Sequence, residues 1–428
     1  MLLEFKIKNY KSFIEEATLS MIPAPKQKDL EYSILSSTIG TKEFKAIPTS
    51  VLYGPNASGK TNMIGAIETL VAIINRGNIN DDLNVKGHNA AKDRLGLIPN
   101  NKLVEKEPVE FYISFLKNNK HFEYTLKLDL GLFLDIGYRR SVRYEKLVVN
   151  QDTIFTRENT KIKLEIDKKI SNKILELLVE NLNEEELFLA NGFKNLISNN
   201  LYSEINEFLN EDLITVYRAD DLKTYPISEN KSNILRDKEV CAAAKKIGAF
   251  NSEIGYFSED EQTPKKLTTF CKTNKDGVYA AIGSEVIESY GTVRFLNLYP
   301  LIKQTLENGG VLIVDEFDAS IHPMVVLNIL NVFHNDEINT KNAQLIFDTH
   351  NPIFLNSSVL RRDEIKFVER DENGSVIYSL ADFKTSGEQG VRTSDDYMKH
   401  YFMNKYGAII DVDLASLLKG ERDEETPM

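Results

Sequence analysis

One eight-residue segment near the N-terminus constrains the fold more than any other part of the chain. Residues 54–61 read GPNASGKT, which matches the pattern G-x-x-x-x-G-K-[ST]. The glycines of such a loop let backbone N–H groups surround phosphate oxygens, while the lysine reaches the outer phosphates and the hydroxyl binds Mg²⁺. An apolar run, Ser50–Tyr53, precedes the loop, and helical spacing from Asn62 to Asn75 follows it. The sequence therefore predicts a strand–loop–helix unit that binds a nucleotide. The predicted contacts with phosphate and Mg²⁺ are Gly54, Asn56, Ser58, Gly59, Lys60, Thr61 and Asn62.

A second apolar run, Val311–Val314, ends in two acids, Asp315 and Glu316. Phosphoryl transfer requires neutralised charge and a positioned nucleophile, so one acid for the metal and one for the attacking water are sufficient. We assign Asp315 to Mg²⁺, together with Thr61, and Glu316 to the water. A strand that merely ends in solvated acids is the alternative, but the phosphate loop upstream favours the catalytic interpretation.

Four further residues have both a functional and an ordinary interpretation. Ser289 and Gly291 precede a helical pattern, where N–H groups and a hydroxyl can meet a phosphate, although serine is also a common N-cap. His350 follows the next strand pattern, Gln344–Phe347, from which an imidazole can bond a γ-phosphate or the attacking water. His322 can act similarly or only cap the following helix.

Together these segments resemble the ABC-type ATPase heads of the SMC-like branch. More narrowly, they resemble the AAA-family ATP-binding proteins of bacterial phage-defence systems, of the RloA-like and abortive-infection type. The matching stretches are LLEFKIKNYKSF, GPNASGKTN, ESYGTVRF, VLIVDEFDASIHP, QLIFDTHN, RRDEIKFVERDENGSVIYSLADFK and KYGAII. The resemblance implies an α/β fold, an ABC-type P-loop ATPase head with mixed β-sheets and helices and a mostly helical central insertion. It implies ATP and Mg²⁺ as cofactors.

The resemblance also implies roles for individual residues. Ser289 and Gly291 form a signature that contacts the ATP of the opposite subunit, Asp318 lies in the loop that crosses the dimer interface, and His350 is the switch histidine. Three residues near the N-terminus lie where family members approach the nucleotide: Asn9, Lys11 and Ser12. The signature departs from the family pattern because it reads Ser-Tyr-Gly-Thr rather than Ser-Gly-Gly. No clear glutamine between 90 and 110 can be assigned as the metal-sensing residue.

Changes in pattern divide the chain into four segments. Residues 1–165 form the N-terminal lobe with the phosphate loop, and residues 166–280 form the helical insertion, a candidate sensor or partner surface. Residues 281–385 form the C-terminal lobe with the signature, the acidic strand, the interface loop and the switch histidine. Residues 386–428 form an extension with an acidic tail.

Composition restricts the partners. Lys and Arg total 52 and Asp and Glu total 64, a net charge of −12, so the chain is not a general polyanion binder. Nucleic acid remains a candidate partner only through a local basic surface. The arginines Arg139, Arg140 and Arg143 could form one, or could belong to a solvated strand face.

With no run of about 18 apolar residues, no membrane span is expected. The two cysteines and the absence of a signal-peptide pattern favour the cytoplasm.

We therefore expect an ATP-hydrolysing regulatory ATPase that forms a homodimer or higher homo-oligomer around ATP. The resemblance implies that it controls a separate effector, a nuclease or toxin encoded by a neighbouring gene, in anti-phage defence. One alternative is a DNA-repair or DNA-maintenance ATPase that binds duplex DNA. Another is an assembly scaffold that binds ATP with little turnover. A transporter ATPase is a more distant alternative because it requires a membrane partner.

Overall fold

The computed structural model describes residues 1–25, 27, 30–80, 96–135, 137–165, 181–217, 234–236, 238–249, 253–257, 266–272, 279–385 and 390–410. Its strands are β1 (Leu2–Lys8), β2 (Ala17–Ser20), β3 (Leu35–Ile39), β4 (Lys42–Ala46), β5 (Thr49–Tyr53), β6 (Val109–Lys117), β7 (Lys120–Asp129), β8 (Ser141–Val149), β9 (Asp152–Glu158), β10 (Lys161–Leu164), β11 (Leu213–Val216), β12 (Ile234–Arg236), β13 (Glu253–Phe257), β14 (Lys266–Lys272), β15 (Tyr279–Gly283), β16 (Val311–Val314), β17 (Gln344–Asp348), β18 (Ile365–Asp371) and β19 (Gly374–Ser379). Its α-helices are α1 (Lys60–Arg76), α2 (Lys194–Leu196), α3 (Asn199–Glu207), α4 (Lys238–Lys246), α5 (Ser284–Ile287), α6 (Tyr290–Asn308), α7 (Pro323–His334) and α8 (Tyr397–Phe402).

A six-stranded sheet organises the molecule around the phosphate loop. Its order is β11-β16-β17-β5-β18-β19, with five parallel strands and an antiparallel β19. Alternate side chains of its central strands enter two different cores. Leu52 and Ile313 pack on the face that carries α1, whereas Val51 and Leu312 pack on the face that carries α6 and α7. Burial on both faces explains why these strands are continuous apolar runs in the sequence.

A seven-stranded antiparallel sheet, β10-β9-β8-β7-β6-β1-β2, lies on the α1 side and shares a core with that helix. Two of its hairpins turn at residues 117–120 and 150–152. Asn118 and Asn119 have φ values of 48° and 56°, as a two-residue turn between twisted strands requires. The predicted α/β architecture with mixed sheets and helices is confirmed, and so is the predicted strand–loop–helix unit that contains the phosphate loop.

The central insertion is less uniformly helical than the sequence suggested. Its described part contains α2, α3 and α4, but also an antiparallel sheet of order β12-β13-β14-β15. Strand β11 leaves the insertion and pairs with β16 in the parallel sheet. Strand β14 reads KLTTFCK and β15 reads YAAIG, and neither alternates apolar with polar residues regularly enough to be recognised as a strand. Residues 166–180 and 218–233 of the insertion lie outside the described residues.

The C-terminal segment packs on the parallel sheet. Tyr397 and Tyr406 are buried in the same core as α6 and α7, and the Tyr378 hydroxyl donates to the carbonyl oxygen of Tyr406 at 2.7 Å. The acidic tail predicted after residue 420 lies outside the described residues. Among the helices of the described ranges, none is both long and apolar enough to cross a membrane.

Candidate nucleotide site

The phosphate loop connects β5 to α1 at the carboxyl end of the parallel strands, and its glycines are required by close packing. Gly59 has a φ of 119°, and a Cβ placed there would lie 2.8 Å from the hydroxyl oxygens of both Ser12 and Ser375. A Cβ on Gly54 would overlap the carbonyl oxygen of Val368. Only glycine therefore fits at these two positions of the motif.

Neighbouring segments hold the loop in place. The Ser375 N–H donates to the Ser12 carbonyl at 2.7 Å, and the Ser375 hydroxyl donates to the Ser58 carbonyl at 2.6 Å. The Asn62 amide donates to the Ser12 hydroxyl at 2.9 Å, so the structure brings these two predicted residues together. Asn56 is exposed on the loop. Ser375 is a supporting residue that the sequence analysis missed.

The lysine and threonine of the motif reach different parts of the site. Lys60 is buried, and its ammonium donates to the carbonyls of Gly54 and Pro55 at 2.9 and 3.0 Å. The Thr61 hydroxyl donates to the Asp315 carboxylate at 3.1 Å. This hydrogen bond joins the start of α1 to the end of β16. The two predicted metal ligands are therefore adjacent.

A third acid, Asp348, completes the cluster. Its side chain is buried at the end of β17 and accepts the N–H of Glu316 at 2.6 Å. Burial raises the pKa of Asp348 well above its ordinary value, and the adjacent Asp315 carboxylate raises it further. Burial lowers the pKa of Lys60, whereas these three carboxylates act in the opposite direction. Asp348 has no role predicted from the sequence, although an acid at the end of the strand next to β16 is a recognisable pattern.

Glu316 occupies an uncommon main-chain conformation. Its φ is +50°, in the left-handed region, and its side chain is exposed. Arg294 of α6, itself buried, donates to the Glu316 carbonyl at 2.5 Å and to the Asp315 carbonyl at 3.4 Å. These hydrogen bonds connect the first turns of α6 to Glu316, the residue that we assign to the attacking water. Arg294 was also missed, since a single arginine in an apolar helix has no distinguishing pattern.

His350 and Asp318 lie in the electrostatic field of the same cluster. Burial lowers the pKa of His350 and the Lys60 ammonium lowers it further, whereas Asp318 and Glu316 raise it. The net lowering from an ordinary value near 6.5 leaves the imidazole neutral at pH 7. His350 can therefore both accept and donate a hydrogen bond.

The signature segment begins α6 against the interface loop. The Ser289 hydroxyl accepts the Thr292 N–H at 3.2 Å, so Ser289 is an N-cap, and it is also exposed. A Cβ on Gly291 would overlap the carbonyl oxygen of Ser320, two residues after Asp318. His322 caps α7 by accepting the Met324 N–H at 3.2 Å, so the cap that the sequence allowed for that histidine is present.

Replacing Gly291 with alanine should therefore destabilise the protein. The added methyl group must displace the Ser320 turn or the start of α6, and we expect a loss of about 1–3 kcal/mol in the free energy of unfolding. Gly283→Ala is the matched control, because a Cβ there would lie 3.6 Å from the flexible Glu285 side chain. Denaturant unfolding measures both variants. Equal stability of the two would contradict the close contact.

Asn9 and Lys11 make contacts outside the phosphate loop. The Asn9 side chain donates to the Glu107 carbonyl at 2.7 Å and accepts the Asn100 N–H at 2.9 Å. The Lys11 ammonium lies 5.2 Å from the centre of the Tyr10 ring. These contacts tie the segment 96–107 to the N-terminal turn, so the nucleotide roles of Asn9 and Lys11 stay predictions.

The candidate basic surface is largely neutralised by local carboxylates. Arg143 donates from Nε to Asp129 at 2.9 Å, and Arg139 lies 3.3 Å from Glu184. These ion pairs favour the solvated-face interpretation for two of the three arginines in the sequence pattern.

Comparison with known proteins agrees with this geometry. The family model described as "AAA domain, putative AbiEii toxin, Type IV TA system" matches residues 50–356, which include the phosphate loop, the signature, the acidic strand and His350. The chain is also similar to the solved structure of the SMC head domain from Thermotoga maritima, with 13% identity and a TM-score of 0.38. That alignment covers 88% of this chain and 98% of the other. A likeness of this degree supports no conclusion about function.

Proposed function

Because the chain belongs to the AAA-domain family described as putative AbiEii toxins of Type IV toxin–antitoxin systems, we propose that it is a regulatory ATPase of anti-phage defence. In this proposal two subunits bind ATP between them, hydrolyse it, and thereby control a separate effector, a nuclease or toxin. The P-loop ATPase fold supports nucleotide hydrolysis. The family's toxin–antitoxin description supports the defence role, and the separate effector rests on the resemblance of the sequence motifs.

The observation that carries the ATPase proposal is the 3.1 Å hydrogen bond between Thr61 and Asp315. A hydroxyl and a carboxylate at one point are oxygen ligands of the kind that Mg²⁺ takes in nucleotide sites. Thr61 and Asp315 would hold the metal, and Lys60 with the N–H groups of the loop would hold the phosphates. Bound Mg-ATP would supply the phosphoanhydride bond and the charge that neutralises the transferred group.

The side chains beside this site have complementary tasks. In this proposal Glu316 orients the attacking water and accepts its proton, and its carboxylate also interacts electrostatically with Lys60 and His350. A neutral His350 can donate a hydrogen bond to a phosphate oxygen or to the water. The chain therefore provides an anion cradle, a metal site and a general base at one edge of the sheet.

Exposed apolar side chains support dimerisation at the same edge. Val286 and Tyr290, which flank Ser289, are 75% and 59% exposed. Met324 and Ile353, which follow His322 and His350, are 57% and 45% exposed. Apolar side chains exposed beside predicted interface residues are typical of surfaces that a partner covers. A second subunit that contributes Ser289 and Asp318 to each ATP would cover them.

Mass photometry of the chain with the product of a neighbouring gene tests the proposed control of an effector. We expect a stable complex whose mass distribution changes when Mg-ATP is added. Titration with duplex DNA at physiological salt is the parallel measurement, since phosphate contacts weaken steeply with salt. If no neighbour binds but ATP promotes duplex binding, the DNA-maintenance alternative replaces the defence proposal.

A further inference from the structure

We propose that Asp348 is a positioning residue, which holds the main chain of Glu316 in the conformation from which its carboxylate reaches the attacking water. The inference rests on the proposed ATPase function and adds a residue to its mechanism. It starts from the left-handed φ of +50° at Glu316. Non-glycine residues adopt this conformation rarely, and it persists where surrounding contacts hold it.

The hydrogen bonds around Glu316 show what holds it. The N–H groups of its neighbours, Asp315 and Phe317, donate to the main-chain carbonyls of Val216 and Asp348 at 2.9 and 3.3 Å. The N–H of Glu316 itself donates to the Asp348 side chain at 2.6 Å. The N–H groups on either side of Glu316 therefore donate to main-chain carbonyls, but the N–H of Glu316 does not. The Asp348 carboxylate supplies the acceptor for it instead.

Asp348 is placed for this task by the sheet. It ends β17, and the register pairs the preceding Phe347 with Val314, so Asp348 lies beside Asp315 at the point where β16 ends. Its side chain is only 1% exposed, so this hydrogen bond is shielded from solvent. At the carbonyl of the same residue, Arg294 donates a hydrogen bond to Glu316 at 2.5 Å. Glu316 is therefore held at both its N–H and its carbonyl.

Three substitutions separate the contribution of the acceptor oxygen from that of the charge. Asp348→Asn keeps the acceptor and removes the charge, whereas Asp348→Ala removes both. Asp348→Leu also removes both but fills the space, so it replaces the alanine variant if that protein does not fold. We expect the alanine or leucine variant to lose about 10–100-fold in kcat, because a misplaced base loses its orientation. We expect KM to stay within about twofold and the asparagine variant to retain kcat within about threefold.

A double-mutant cycle with Glu316→Gln tests whether Asp348 acts through Glu316. Because Glu316→Gln already removes the base, adding Asp348→Leu should lower the residual turnover no further. Thermal unfolding and the affinity for Mg-ATP, measured on every variant, exclude a loss of fold or of binding as the cause. The same fold-loss in both backgrounds would overturn the proposal, as would an asparagine variant as slow as the leucine variant.

The outcome also distinguishes this inference from the function on which it rests. A wild-type protein that neither binds nor hydrolyses Mg-ATP would remove the ATPase proposal itself. A wild-type protein that hydrolyses ATP, together with an equally active Asp348→Leu variant, would leave the ATPase proposal standing and remove the role of Asp348.

Discussion

Lys60→Ala should reduce kcat/KM for ATP by at least about 100-fold, the range expected when one preorganised positive group is removed from a charged transition state. Lys60 is a buried cation that faces three carboxylates, Asp315, Glu316 and Asp348. Without its ammonium, the site would present mainly negative charge to a polyphosphate. The loss should therefore affect both ATP affinity and turnover. Phosphate release and the binding of a fluorescent ATP analogue measure the two effects.

Lys45→Ala is the matched control for this variant. Lys45 is about half exposed on β4 and pairs with Glu43, so its removal subtracts the same charge far from the phosphate loop. The two bonds from Lys60 to the Gly54 and Pro55 carbonyls are also lost in the alanine variant, so thermal unfolding should be recorded alongside. A folded Lys60→Ala protein with turnover near that of the control would contradict the assignment of the phosphate site.

The parts of the site that the sequence predicts are those encoded by local patterns. The loop at 54–61 and the acids after Val314 each follow a short apolar strand, and the parallel arrangement then brings the strand ends together. Thr61 and Asp315 meet although 254 residues separate them, because both belong to motifs with fixed positions on the sheet. Ser12 is a weaker case, since it was assigned by resemblance and is now seen bonded to Asn62.

The residues that sequence reasoning missed act through tertiary contacts without a local pattern. Ser375 supports the phosphate loop from a hairpin 317 residues away from Ser58, and nothing around it in the chain distinguishes it from other turn serines. Arg294 belongs to an apolar helix, and its role follows only from the hydrogen bond that it donates to the Glu316 carbonyl in the folded structure. The strands β12–β15 were missed for a related reason. Short strands of a small antiparallel sheet leave little apolar periodicity in a sequence.

Glu316→Gln should bind ATP normally but hydrolyse it about 100–1,000-fold more slowly, because glutamine cannot accept the proton of the attacking water. The bonds that hold residue 316 come from its own N–H and carbonyl, to Asp348 and Arg294, and both survive the substitution. The variant should therefore fold as the wild type does. Single-turnover phosphate release measures the chemical step. Glu337→Gln, an exposed carboxylate in the loop after α7, is the matched control.

The same variant separates a switch from a scaffold. If ATP joins two subunits and hydrolysis parts them, Glu316→Gln should accumulate a species of twice the 48.7 kDa chain mass when ATP is present. The wild type should return to the smaller species as its ATP is consumed, and Lys60→Ala should not form the larger one. A scaffold with little turnover predicts the same mass distribution for Glu316→Gln and the wild type at every time point. Persistence of the wild-type dimer after the ATP is exhausted would therefore exclude hydrolysis as the step that opens it.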